Sequence, residues 1–188
     1  MGKVRKKVRT YINTNVLDES IKRINHIFDT FDTIVVMFSG GKDSLAVLHL
    51  VKDIAFERGI KKVNVVFRDE ELIPNSVIEF VDKYYHMDWV NMKYFVVPLY
   101  SQKFVLGQTQ TYVQWDKSRE HIRPIPKYAI QTGDDDERVF SQDSMDDYTA
   151  SFFSGKIAFI NGIRSSESLI RFAACMNKIN ENYINATK

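Results

Sequence analysis

The chain has 188 residues, 44% of them hydrophobic, and a formal net charge of +2. This fits one globular domain of ordinary size and excludes a disordered chain, while the near-neutral balance names no partner. The one cysteine, Cys175, excludes a disulfide framework or an all-cysteine metal cluster supplied by this chain, and fits a reducing cytosol.

The N-terminal stretch from Lys3 to Arg9 is basic, but no apolar signal core follows it. No apolar run approaches the roughly 20 residues of a membrane span, so the expectation is a soluble, cytoplasmic protein that does not enter a membrane. Residues 1–15 read as a basic arm: a solvated terminus, with a nucleic-acid contact as the alternative. Residues 16–188 read as a single domain.

Apolar residues at Leu17, Ile21, Ile24, Ile27 and Phe28 recur at helical spacing. Thr33 to Phe38 is a short, continuous apolar run rich in β-branched residues, the pattern of a strand buried on both faces. Ser44 to Arg58 carries Leu45, Leu48, Val51, Ile54 and Ala55 on one helical side, with Gly59 as its stop. Val63 to Phe67 reads as a second strand, completing a strand–helix–strand unit. A helix from Pro74 to about Met87 follows, then a strand at Tyr94 to Val97 closed by Pro98. Residues 99–150 hold Pro124, Pro126 and the acidic run Asp134 to Glu137, and read as an insertion of loops and short helices. Lys156 to Ile160 is a further strand, with a helix expected from about Ser166 to Asn180. The order implies an α/β fold: an open, mostly parallel sheet of about five strands with helices on both faces, Rossmann-like.

The most informative string is Ser39-Gly40-Gly41-Lys42-Asp43-Ser44, between a buried strand and a helix. Adjacent glycines let the backbone turn sharply and admit a phosphate. The following helix presents unpaired N–H groups and its positive dipole end to that anion. Ser39 and Ser44 add hydroxyl donors, Lys42 a point charge for a leaving pyrophosphate, and Asp43 a helix cap or magnesium ligand. The spacing matches neither the Walker loop nor the dinucleotide fingerprint.

SGGKDS in this position resembles the PP-loop ATP pyrophosphatase superfamily, the adenine nucleotide alpha-hydrolase-like group. Further matches resemble its phosphoadenosine phosphosulfate (PAPS) reductase branch. They are Phe67-Arg68-Asp69-Glu70-Glu71 at the second strand's end, and Gly162-Ile163-Arg164-Ser165-Ser166-Glu167-Ser168-Leu169-Ile170-Arg171 after the last strand. Gln114-Trp115-Asp116 and Ile122-Arg123-Pro124-Ile125-Pro126 resemble a prophage and mobile-element subgroup of coactivators encoded beside a ParB-like partner.

The resemblance implies ATP or PAPS as nucleotide, with magnesium. Asp69 or Glu70 would meet a ribose hydroxyl or the metal, and Gly162 and Arg164 would join the nucleotide site. Arg123, Glu167 and Arg171 are candidates for substrate contacts. Arg164, Glu167 and Arg171 also fit an ion-paired helix face, and Asp69 to Glu71 a surface loop. Trp115 reads as packing rather than recognition, and Cys175 as a core thiol beside Phe172 and Ile179.

PAPS reductases attack with a C-terminal cysteine, which this chain lacks. The expected chemistry is therefore attack on the α-phosphorus of ATP with pyrophosphate leaving; a nucleotide-sensing regulatory module is the alternative. Beside the family the chain is short, so a compact version and a piece of a longer protein both stay open, as does a homo-oligomer.

Overall fold

A parallel strand between two others is covered on both faces and both edges, which is why Ile34, Val35 and Val36 spell an unbroken apolar run. In the computed structural model, which describes residues 13–105, 107–164, 168, 169, 171 and 172, that run is β1 (Thr33–Met37). Parallel partners flank it: β2 (Val63–Arg68) on one side and β6 (Ile157–Asn161) on the other. β3 (Val90–Phe95) lies outside β2, so the sheet runs β3-β2-β1-β6 with all strands parallel. This is an α/β, Rossmann-like sheet of four strands where the sequence predicts about five. Among the described residues a fifth position exists only as a single parallel bridge, Phe95 with Ile130.

Alternation along β1 divides the core. Ile34 and Val36 meet α1 (Val16–Thr30), α2 (Lys42–Glu57) and α3 (Asn75–Tyr85) through Ile24, Leu48, Val51, Ile54, Val81 and Tyr84. Val35 faces the other way, into a smaller core with Val66, Phe95, Phe140 and Met145 of α4 (Gln142–Ala150). Asn15 caps α1 by accepting from the Asp18 N–H at 2.9 Å. Gly59, at φ +78°, ends α2 in a conformation glycine adopts without a Cβ penalty.

Residues 99–150 depart from the expected run of loops and short helices. β4 (Leu99–Val105) and β5 (Gln108–Gln114) form an antiparallel hairpin in continuous register, from Leu99 opposite Gln114 to Val105 opposite Gln108. β3 also starts four residues before the predicted Tyr94, because Val90-Asn91-Met92-Lys93 alternates buried and more open positions as a sheet-edge strand does. The basic arm up to residue 12, Glu167, Cys175 and most of the last predicted helix lie outside the described residues.

Candidate nucleotide-binding site

Strand order reverses between β1 and β6: from β1 the chain moves outward through β2 and β3, then returns to the other side as β6. In open α/β sheets the crevice beyond the carboxyl ends at such a reversal is where ligands bind. Both sequence motifs arrive there. Ser39 to Ser44 leaves β1, and Gly162 to Arg164 leaves β6.

The loop is held from within. The Ser44 hydroxyl, buried, donates to Gly41 O at 2.9 Å, accepts from the Ser39 N–H at 3.2 Å, and lies 3.1 Å from the Ser39 hydroxyl. Ser44 therefore shapes the turn, while Ser39, Gly41 and Lys42 remain exposed. Gly40 turns at φ +73°, and a Cβ there would stand 2.7 Å from a Val77 methyl of α3. Gly41 is the N-cap of α2 and brings no side-chain cap, which leaves the first-turn N–H groups for another acceptor. A Cβ at Gly162 would lie 2.8 Å from Asp43 C, Asp43 O and Ser44 N. Only glycine lets the end of β6 run this close to the first turn of α2. That approach brings Arg164 to Asp43, Nε to Oδ2 at 3.1 Å. Arg171 is exposed, with its N–H on the Ser168 hydroxyl at 3.1 Å.

Asp69 has a different setting from the one the motif implies. Its carboxylate is fully buried and turned inward. Oδ1 accepts from the Arg123 guanidinium and from the Glu71 N–H at 2.9 Å; Oδ2 accepts from the Tyr94 hydroxyl at 2.7 Å. Arg123 also donates to Glu71 O at 2.5 Å and Ile73 O at 3.2 Å, and lies over the Trp115 ring. Glu71, fully buried, takes Arg119 on both oxygens, at 2.8 and 2.5 Å, and the Trp115 N–H at 2.7 Å. The Trp115 indole N–H donates to Asp69 O at 2.7 Å.

Burial opposes ionisation of Glu71, but Arg119 and the Trp115 N–H outweigh it and hold the carboxyl below its ordinary range. Burial and the Asp69 carboxylate push the Tyr94 hydroxyl well up, so it stays a donor. Sequence reasoning found Asp69 and Arg123 but missed Glu71, Tyr94 and Arg119. The available signal was the pairing of two spacings, Asp69-x-Glu71 and Arg119-x-x-x-Arg123, one acidic and one basic.

Among the described residues no group of three or more His, Cys, Asp or Glu is placed to hold a metal. Asp69 does not fit a metal ligand, since both its oxygens serve internal donors. Asp43 fits as a single carboxylate ligand at the phosphate loop.

The model of the phosphoadenosine phosphosulfate reductase domain family matches residues 33–184, from the first residue of β1 onward. The chain belongs to that family. The PAPS reductase domain sits within the PP-loop, adenine nucleotide alpha-hydrolase-like superfamily, which agrees with the SGGKDS loop and the parallel sheet. A curated relative is 33% identical over 170 residues: an uncharacterized protein, YbdN, of Escherichia coli strain K12. The alignment takes in 85% of this chain and 41% of that protein, so the chain spans about two fifths of its relative. No helix among the described residues is long and apolar enough to cross a membrane.

Proposed function

We propose that this PAPS reductase-like domain binds an adenine nucleotide, ATP or PAPS, with its phosphates over the first turn of α2. The observation that carries this reading is Gly41: an N-cap without a side-chain cap, at the strand-order reversal, with Lys42 exposed beside it. Lys42 supplies positive charge for the leaving group, and Arg164, oriented by Asp43, closes the β6 side.

The chemistry this site suits is displacement at the α-phosphorus. With ATP bound, an anionic acceptor forms the new bond to the α-phosphorus, the bond to the oxygen bridging to the β-phosphorus breaks, and pyrophosphate leaves with that electron pair. Backbone N–H groups and Lys42 stabilise the charge that develops on the leaving oxygens. Magnesium, held by Asp43 with phosphate oxygens and water, would supply further neutralisation.

A second reading is favoured by the internal commitment of Asp69. With that carboxylate spent on Arg123 and Tyr94, the site has one fewer group for chemistry. It then serves as a nucleotide sensor whose output is contact with a partner, here a ParB-like protein.

Calorimetric titration with ATP and with PAPS, with and without magnesium, tests the binding. Gly41→Asp is the control, because it sets a carboxylate where the phosphate would lie without crowding the turn. Binding that Gly41→Asp loses supports the site, and no binding of either nucleotide overturns it. Release of pyrophosphate from bound ATP, or of sulfate from bound PAPS, separates enzyme from sensor.

A further inference from the structure

An exposed strand edge is a template for pairing, and folded proteins ordinarily guard it with charge, proline or a bulge. β5 carries none of these. Its sequence, Gln108-Thr109-Gln110-Thr111-Tyr112-Val113-Gln114, has no charged residue and no proline, and its register against β4 is unbroken.

Which backbone groups face outward follows from two hydrogen bonds at the base of the hairpin. The Tyr100 N–H donates to Phe140 O at 2.8 Å, and Val113 O accepts from Arg119 at 3.1 Å. The opposed pair Tyr100 and Val113 thus spends its backbone groups outside the hairpin. In an antiparallel ladder every second pair does the same, so Gln102 with Thr111 and Phe104 with Thr109 also face out. On the β4 side Phe140 covers the base. On the β5 side Arg119 takes Val113 O. Among the described residues no hydrogen bond reaches the outward N–H or C=O of Thr109 or Thr111.

We propose that this edge pairs with the β5 edge of a second copy of the chain, antiparallel, about a two-fold axis at Gln110. The hairpin turn bounds the open window at Gln108, and Arg119 bounds it before Val113. The window's centre is Gln110. A two-fold axis there sets Thr109 opposite Thr111 of the other copy and Thr111 opposite Thr109. Outward groups meet outward groups, and four backbone hydrogen bonds form. A centre at Thr111 would ask Val113 O, already held by Arg119, to pair again. The two hairpins would then make one four-stranded antiparallel sheet, a self-complementary interface of the kind two-fold dimers use. A window this short gives a weak, concentration-dependent dimer.

Sedimentation velocity from micromolar to millimolar protein tests it, in a Cys175→Ala background. The expected result is a monomer–dimer equilibrium. Gln110→Lys, which sets like charges face to face across the axis, should weaken it about tenfold at low salt and less at high salt. Gln110→Ser should leave it unchanged. The two Gln110 residues face each other across the axis as a non-hydrogen-bonded pair, with Cα atoms about 4.5 Å apart, within disulfide range. Gln110→Cys should therefore cross-link under mild oxidation faster than Gln102→Cys on β4. A monomer at every concentration overturns the proposal, as does a dimer indifferent to Gln110→Lys or a Gln110→Cys no faster than its control.

Discussion

Two glycines of the site differ in what they permit, and that difference is measurable. A Cβ at Gly41 would meet the Ser39 hydroxyl at 3.4 Å, an ordinary contact with a side chain. A Cβ at Gly162 would press on α2 backbone at 2.8 Å, and backbone cannot swing aside. Gly162→Ala should cost about 1–3 kcal/mol in urea unfolding, through overpacking, while Gly41→Ala should cost under about 1 kcal/mol. Equal costs would mean that β6 does not approach α2 this closely. The buried acids make a second pair of expectations. The Arg123 side chain is 10% exposed and pairs with a fully buried Asp69, whereas the Arg119 side chain is 40% exposed. Arg123→Ala strands Asp69 away from water and should cost about 3–5 kcal/mol. Arg119→Ala lets solvent reach Glu71 and should cost clearly less. The reverse order would show that Asp69 is not locked inward, and would restore it as a group for the crevice.

The segment from Asp69 to Ile73 links β2 to α3, and its shape depends on charge. Glu71 sits at φ +55° and Trp115 at φ +50°, both uncommon for residues with a side chain; the bonds between them hold these turns in place. Because the Glu71 carboxyl is held below its ordinary value, the stabilisation is fully present above the unfolded-state value of about 4.3 and is lost as pH falls through the folded value beneath it. Urea midpoints of the wild type should therefore drop between about pH 5 and pH 3 by more than those of Glu71→Gln; parallel curves would remove Glu71 from the acid response. This element was only half legible in the sequence. Asp69, Glu71, Arg119 and Arg123 are all visible there, but the bonds that join them cross 48 and 54 residues, and no local pattern encodes such a pairing. The phosphate loop was legible because strand, glycines and helix are contiguous. β1 and β2 were legible because burial on both faces writes a largely apolar run, and β6 because Ile157 to Ile160 is apolar even though its residues are only partly buried. The β4–β5 hairpin was not, because its apolar residues, Leu99, Tyr100, Phe104, Val105, Tyr112 and Val113, fall at both odd and even positions of the two strands and write no period-two apolar face. α4 was predicted only as part of an insertion with short helices: Met145 and Thr149 are its buried residues, too few for a helical stripe.

At the scale of the molecule, stability should follow the number of covered sides. β1 has a strand on each edge and a core on each face, and Val35 and Val36 are wholly buried. The hairpin is joined to the rest at Leu99, Gln114 and Trp115, and a two-stranded ribbon is marginal when left alone in water. Amides of Val35 and Val36 should therefore exchange only through global opening, and the hairpin amides nearest the turn through local opening, at least about a thousandfold faster. Two uniform rates would mean the hairpin and the sheet unfold as one unit. Concentration adds a sharper discriminant. Thr109 and Thr111 direct their N–H groups away from β4, so in dilute solution they should exchange at nearly the unprotected rate. If two copies join at this edge, those two amides gain protection as protein concentration rises, whereas Val35 and Val36 do not change. Gln110 directs its own N–H into the hairpin and should gain less than either neighbour. That odd-numbered pattern, Thr109 and Thr111 slowed around a less affected Gln110, separates pairing along the β5 edge from association through any other surface, which would slow all three alike or none.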